Sequence, residues 1–177
     1  MKLSQLLAKL ENSKTFKDFK SDKETKDTFL CAAFIIMNVK QNIFENSLDF
    51  RDDKNIFTFK LWDADDKDVI LLKDELIEGR KPLEKIEEKD LAKLKVDSDD
   101  VKKIVEKELE KNKVSNKLEE IIAVLQNQEG KLVWNLTCMC EGFAIISMSI
   151  DASEAKVIKF DKKNLLDFVS VKKVDKK

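Results

Sequence analysis

The chain contains no histidine. That removes the side chain used most for proton transfer near neutral pH, and the commonest metal ligand, so Ser-His and Cys-His catalytic arrangements are excluded. With only three glycines in 177 residues, the backbone has few places to close around a phosphate, and no glycine-rich phosphate loop or nucleophile elbow occurs. The cysteines number three, an odd count that suits reduced thiols better than a disulfide framework. Neither charge sign is in excess: 34 Lys plus Arg face 35 Asp plus Glu, interspersed along the chain. A nucleic-acid binder needs a basic surplus to neutralise phosphates, so no nucleic-acid partner is expected. The one basic cluster, Val171 to Lys177, reads as a solvated tail. The longest apolar run, Phe29 to Met37, is too short to span a bilayer, and the N-terminal MKLSQLLAKLENSK lacks the apolar core and cleavage site of an export signal. The expectation is a cytoplasmic protein without a membrane partner.

Hydrophobic residues make up 42%, enough for a substantial core. Leu3, Leu6, Leu7 and Leu10 share one helical face, and Asn12-Ser13 interrupts it before Phe16 and Phe19. Phe29 to Met37 is apolar on both faces and is expected to be a fully covered strand; the capping-box spacing of Ser21 and Glu24 leaves a helix open there. Leu48 to Phe50, Ile56 to Trp62 and Val69 to Leu72 follow as strands, with Phe57, Phe59 and Leu61 on one face. Pro82 lies in a charged stretch where Leu83, Ile86, Leu91 and Leu94 predict a short helix.

The second half opens with VDSDD, where Asp97 or Ser98 is a candidate helix N-cap, and Val101, Ile104, Val105 and Leu109 line the helix after it. Strands are predicted over Ile121 to Leu125, Leu132 to Cys140, Phe143 to Ile150 and Lys156 to Phe160. Helix followed by four strands therefore occurs twice, an α+β arrangement in which each unit packs a helix on a four-stranded antiparallel sheet. The boundaries expected are 1–78 for the first unit, 79–95 for a charged linker, 96–170 for the second unit and 171–177 for the tail. An internal echo supports duplication: Trp62 to Ile70 matches Ile150 to Ile158 at an offset of 88, whereas the facing pattern of the preceding strand needs 87. A one-residue bulge before one of the turns reconciles the two.

Cys138 and Cys140 form a Cys-x-Cys pair, but in a strand they share a face with Leu132, Trp134 and Leu136 and read as core, with Cys31 a possible neighbour. Asp63, Asp65, Asp66 and Asp68 resemble the start of a calcium loop, yet Lys67, Asp68 and Asp74 stand where the fifth, sixth and twelfth loop residues should be. A polar turn is the better reading. Asn135-Leu-Thr137 is a glycosylation sequon within a strand. Trp62 and Trp134 could stack on a ligand or fill the core. No catalytic, cofactor-binding or metal residue is assigned, and the expectation is a protein that is not an enzyme and needs no cofactor.

Val133-Trp134-Asn135, Ser149-Ile150-Asp151-Ala152 and Lys156-Val157-Ile158, following the polar-capped helix, resemble a PepSY domain. The resemblance covers Val96 to Phe160 and extends to the first half only through the internal echo, so the whole would be a tandem, divergent pair. The family's glycine before the last strand is Ala155 here. PepSY domains are small cystatin-like folds associated with propeptides and the regulation of peptidases. The resemblance therefore implies a non-catalytic module that binds a protein partner, in a stand-alone, Lys-rich form of prokaryotic type. The alternatives are a carrier that lodges a small apolar ligand near Trp134 or Trp62 and, third, a cysteine-dependent enzyme.

Overall fold

A computed structural model describes residues 1–61, 69–76 and 83–164. Its elements are α1 (Leu3–Asn12), α2 (Lys14–Ser21), β1 (Phe29–Asn38), β2 (Ile43–Arg51), β3 (Asn55–Leu61), β4 (Ile70–Glu75), α3 (Glu88–Leu91), α4 (Val101–Lys111), β5 (Leu118–Gln128), β6 (Lys131–Cys140), β7 (Ala144–Asp151) and β8 (Lys156–Asn164). All eight strands form one antiparallel sheet in the order β4-β3-β2-β1-β5-β6-β7-β8. Each run of four pairs in chain order, and the two runs join where β1 pairs antiparallel with β5, Ile35 opposite Ala123. The protein is thus α+β with a single shared sheet.

Strand alternation places one face of the sheet in the core. Ala33, Ile35, Met37, Leu48, Phe50, Phe57 and Phe59 on the first side meet Ile121, Ala123, Leu125, Leu132, Trp134 and Leu136 on the second. The helices pack on this face. Leu3, Leu6 and Leu10 of α1 are fully buried, and Val101, Val105 and Leu109 of α4 join the same cluster. Ser13 ends α1 and starts α2, its Oγ donating to the Leu10 carbonyl and accepting from the Phe16 amide, so Phe16 and Phe19 are turned down onto Phe50, Phe57 and Phe59.

The strand expected at Phe29 to Met37 is present, its helical alternative is not, and three other expectations are corrected. The Ser21–Glu24 spacing starts no helix; Ser21 is the last residue of α2, and Phe29 onward is strand. The region after Leu83 forms only the single turn α3, because Glu84 bridges to Asn127 and the Ile86 amide donates to the Leu30 carbonyl, which hold residues 83–87 extended. Asp97 does not cap α4: its carboxylate accepts from the Leu3 amide at 2.8 Å, and Ser98 Oγ donates to the Met1 carbonyl. The acid that looks like a local cap thus neutralises the N-terminus of α1, some 94 residues away in sequence. Finally, Phe29 to Met37 is not covered on both sides: Phe34 and Ile36 are only half-buried.

Only one arm of the internal echo, residues 150–158, lies wholly within the described residues. In the β7–β8 pair, Ile150 faces Val157 and Ser149 faces Lys159, so Ile158 is an extra residue, a bulge that follows the turn instead of preceding it. The other arm, residues 62–68, lies outside the described residues, as do Gly79, Pro82 and the tail. Asp151 holds the observed turn by accepting from the Ser153 and Glu154 amides at 3.0 and 2.9 Å, and Ala155 closes it at φ +58°. That left-handed conformation costs an L-residue roughly 1–2 kcal/mol. Ala155→Gly is therefore expected to stabilise the protein by about 1 kcal/mol, read as a rise in Tm of roughly 2–4 °C; a fall would show that the alanine methyl makes a contact worth more than the strain.

Candidate functional site

Among the described residues, the structure brings no sequence-flagged groups together into a reactive site. Cys138 and Cys140 face the core with Trp134 and Leu136, and both are buried free thiols. Burial pushes the Cys138 thiol up to about 12 and raises that of Cys140, so neither is poised as a thiolate. Cys31 is not their neighbour. It is the bulged residue between Leu30 and Ala32 on β1, whereas Cys138 lies opposite Ile121, which faces Met37 at the far end of that strand. Trp134 has no exposed surface, and its Nε1 donates to the Val96 carbonyl at 3.0 Å. A carrier site beside Trp134 is thereby filled by the protein itself. Trp62 and Asp63, Asp65, Asp66 and Asp68 lie outside the described residues. Among the described residues no group of three or more Cys, Asp or Glu is placed to hold a metal. Asn135 of the sequon sits mid-strand, accepting from Ser149 Oγ at 3.1 Å.

Among the described residues, the helices leave the centre of the second face of the sheet uncovered. There, Phe34 pairs with Val124 and Ile36 with Ile122 across the β1–β5 seam. All four are half-buried, and none belongs to the core cluster that the helices cover. Polar residues flank them: Glu45 and Ser47 on β2, Asn135 and Thr137 on β6, and then Ser147 and Ser149 on β7. An antiparallel sheet with one solvated face ordinarily alternates apolar inward and polar outward. Here the middle of β6 and β7 obeys that rule, with Val133, Met139 and Ile145 apolar only toward the strand ends, while the middle of β1 and β5 breaks it.

The sheet edges are less inviting. β8 carries Lys156, Lys159, Lys162 and Lys163 together with the bulge at Ile158, the devices by which proteins blunt an edge against strand addition. β4 at the other edge has six residues, with Ile70 and Leu72 exposed.

Toward the C-terminal end of β2 the second face of the sheet is covered: Asp49, Ala32 and Val133 are buried in one row, and Thr58 Oγ1 donates to the Asp49 carboxylate at 2.8 Å. Burial raises the carboxyl above its ordinary 3.8 despite that hydrogen bond. Folding therefore favours the protonated form: the cost of ionising Asp49 is absent below the ordinary aspartate range and fully present above the raised value. Asp49→Asn, which keeps an acceptor for Thr58, is expected to raise stability at pH 7 by about 1 kcal/mol, with the gain vanishing at pH values below the ordinary aspartate pKa. Parallel denaturant titrations at acidic and neutral pH check this, and an equal gain at both would sink the charge-burial explanation.

No family model matches the chain, and no curated protein matches it. Among solved structures, the fold is similar to that of a "putative lipoprotein" from Clostridium difficile 630, with a TM-score of 0.55 and 18% sequence identity, covering 84% of this chain and 90% of that one. At that identity the likeness is one of fold. Among the described residues no helix is long and apolar enough to cross a membrane.

Proposed function

We propose that the protein is a non-catalytic binding module that docks a protein partner on the uncovered sheet face. The apolar island of Phe34, Ile36, Ile122 and Val124 carries this reading: four large apolar side chains, centred on a rigid seam and ringed by hydrogen-bonding groups, have the apolar-core, polar-rim composition of a protein interface. The blunted β8 edge moves docking away from strand addition and toward the face. Two tandem PepSY-like units, a peptidase as the partner, and the absence of enzymatic activity belong to this same reading. Location is part of it too: the sequence suggests the cytoplasm, while the neighbour's description as a lipoprotein favours a place outside it.

The test compares the wild-type protein with Ile36→Lys and Ile122→Lys as baits in native lysate. Both variants alter half-buried positions, so each should keep a cooperative unfolding transition. A partner captured by the wild type and lost by both variants supports the reading. Equal capture by all three, or no specific capture by the wild type, overturns it.

A further inference from the structure

A second concavity lies on the opposite, helix-covered side, where α1, α2, the segment before β1 and the segment around α3 fail to close completely. It is a cleft of about 540 Å³, within the range of small-molecule sites. Its apolar walls are Leu7, Phe16, Leu30, Phe50, Ile86 and Leu91, contributed by five separate elements.

Lys20 enters this apolar setting from α2. Its Nζ stands over the rings of Phe50 and Phe16, 5.4 and 5.9 Å from their centroids. It donates to the Thr28 carbonyl at 2.6 Å, and to Thr28 Oγ1 and the Lys26 carbonyl at 3.2 Å each. All three acceptors are neutral. Asp27 acts on the ammonium only at longer range, and desolvation outweighs it, lowering the lysine pKa. The cation is thus held by dipoles against the Phe16 and Phe50 rings, without a contacting carboxylate, at the half-buried boundary between the apolar walls and the charged rim of the cleft. Elsewhere around the cleft, Lys85 is paired with Glu87 at 3.2 Å, and Glu11, Asp27 and Glu88 are the other carboxylates of the lining.

We infer that this cleft binds a small carboxylate-bearing amphiphile, its carboxylate on Lys20 and its hydrocarbon part between Phe16, Phe50, Ile86 and Leu91. A carboxylate would replace the longer of these ammonium-to-neutral-oxygen contacts with a hydrogen bond in which both partners are charged. The apolar tail would cover surface that α3 leaves open. Because the cleft and the seam lie on opposite faces, this inference and the docking proposal stand or fall separately.

Decanoate is the probe, titrated into the full chain and followed by amide and methyl NMR, with decanol as the uncharged control. The expected result is saturable binding that perturbs Leu7, Lys20, Thr28, Ile86 and Leu91, with decanol at least about tenfold weaker. Lys20→Gln should weaken decanoate about tenfold while leaving decanol unchanged. Should that variant fail to fold, Leu91→Trp, which fills the outer part of the cleft, is expected to abolish binding of both probes. No saturation by decanoate up to millimolar concentration, equal affinity for decanol, or perturbations confined to other surfaces would overturn the assignment.

Discussion

Phe59→Ala is expected to destabilise the protein by about 3–5 kcal/mol, a drop in Tm of roughly 10 °C or more. Phe59 has no exposed surface and touches three rings: Phe16, Phe19 and Phe50 lie 5.2, 5.0 and 5.6 Å from it, centroid to centroid, all edge-on. Edge-to-face contacts add about 0.5–1.5 kcal/mol per pair beyond area burial, so truncation removes transfer energy and several oriented contacts together. Collapse cannot repair the loss easily, because Phe57 on the same strand is already engaged with Phe19. Phe143, 64% exposed at the β6–β7 tip, is the control. Its truncation should change stability by less than about 0.5 kcal/mol. Urea denaturation of both variants decides the matter: a loss below about 1 kcal/mol at Phe59 would mean that the aromatic cluster is not what anchors α2 to the sheet.

Trp134→Ala is the second large effect, expected at about 3–5 kcal/mol, with Trp134→Phe costing about 2 kcal/mol. The phenylalanine variant keeps most of the volume but strips the Val96 carbonyl of its donor. That carbonyl belongs to a short segment stitched to the sheet end, where the Lys95 and Val96 amides both donate to the Ala152 carbonyl and Asp97 caps α1. Loosening it should expose Lys95 to trypsin faster than global stability alone predicts. In a Trp62→Phe background, the emission of Trp134 should be that of a dry indole and shift red on unfolding. Unchanged proteolysis at Lys95 in the phenylalanine variant would show that the indole hydrogen bond contributes nothing local.

The elements were legible where one side of a strand or helix is covered and the other solvated. The alternation of Leu132, Trp134, Leu136, Cys138 and Cys140 placed β6 and its buried thiols, and the spacing of Leu3, Leu6 and Leu10 placed α1. Where a pairing between distant residues decides the conformation, local pattern misled. Asp97 looks the same in sequence whether it caps the helix after it or one at the other end of the chain. Leu83 to Leu94 has helical spacing, yet hydrogen bonds to Leu30 and Asn127 hold its first half extended. The candidate surfaces were harder still. An apolar run such as Phe29 to Met37 reads the same whether its second face is covered by the protein or left for a partner, so Phe34 and Ile36 gave no separate signal. The cleft around Lys20 had only a faint one, a lysine one turn after Phe16 and next to Phe19 on a short amphipathic helix.

The β1–β5 seam also sets a timetable for synthesis. The most apolar strand of the chain, Phe29–Asn38, gains its second neighbour only once residues through Gln128 have left the ribosome. At ordinary translation rates that gap lasts roughly 5 to 20 seconds, far longer than a hairpin needs to form. During that interval the nascent N-terminal half displays a greasy, unsatisfied backbone margin in a crowded cell. Slowing translation between β4 and β5 should therefore raise the insoluble fraction, and a holdase chaperone should lower it.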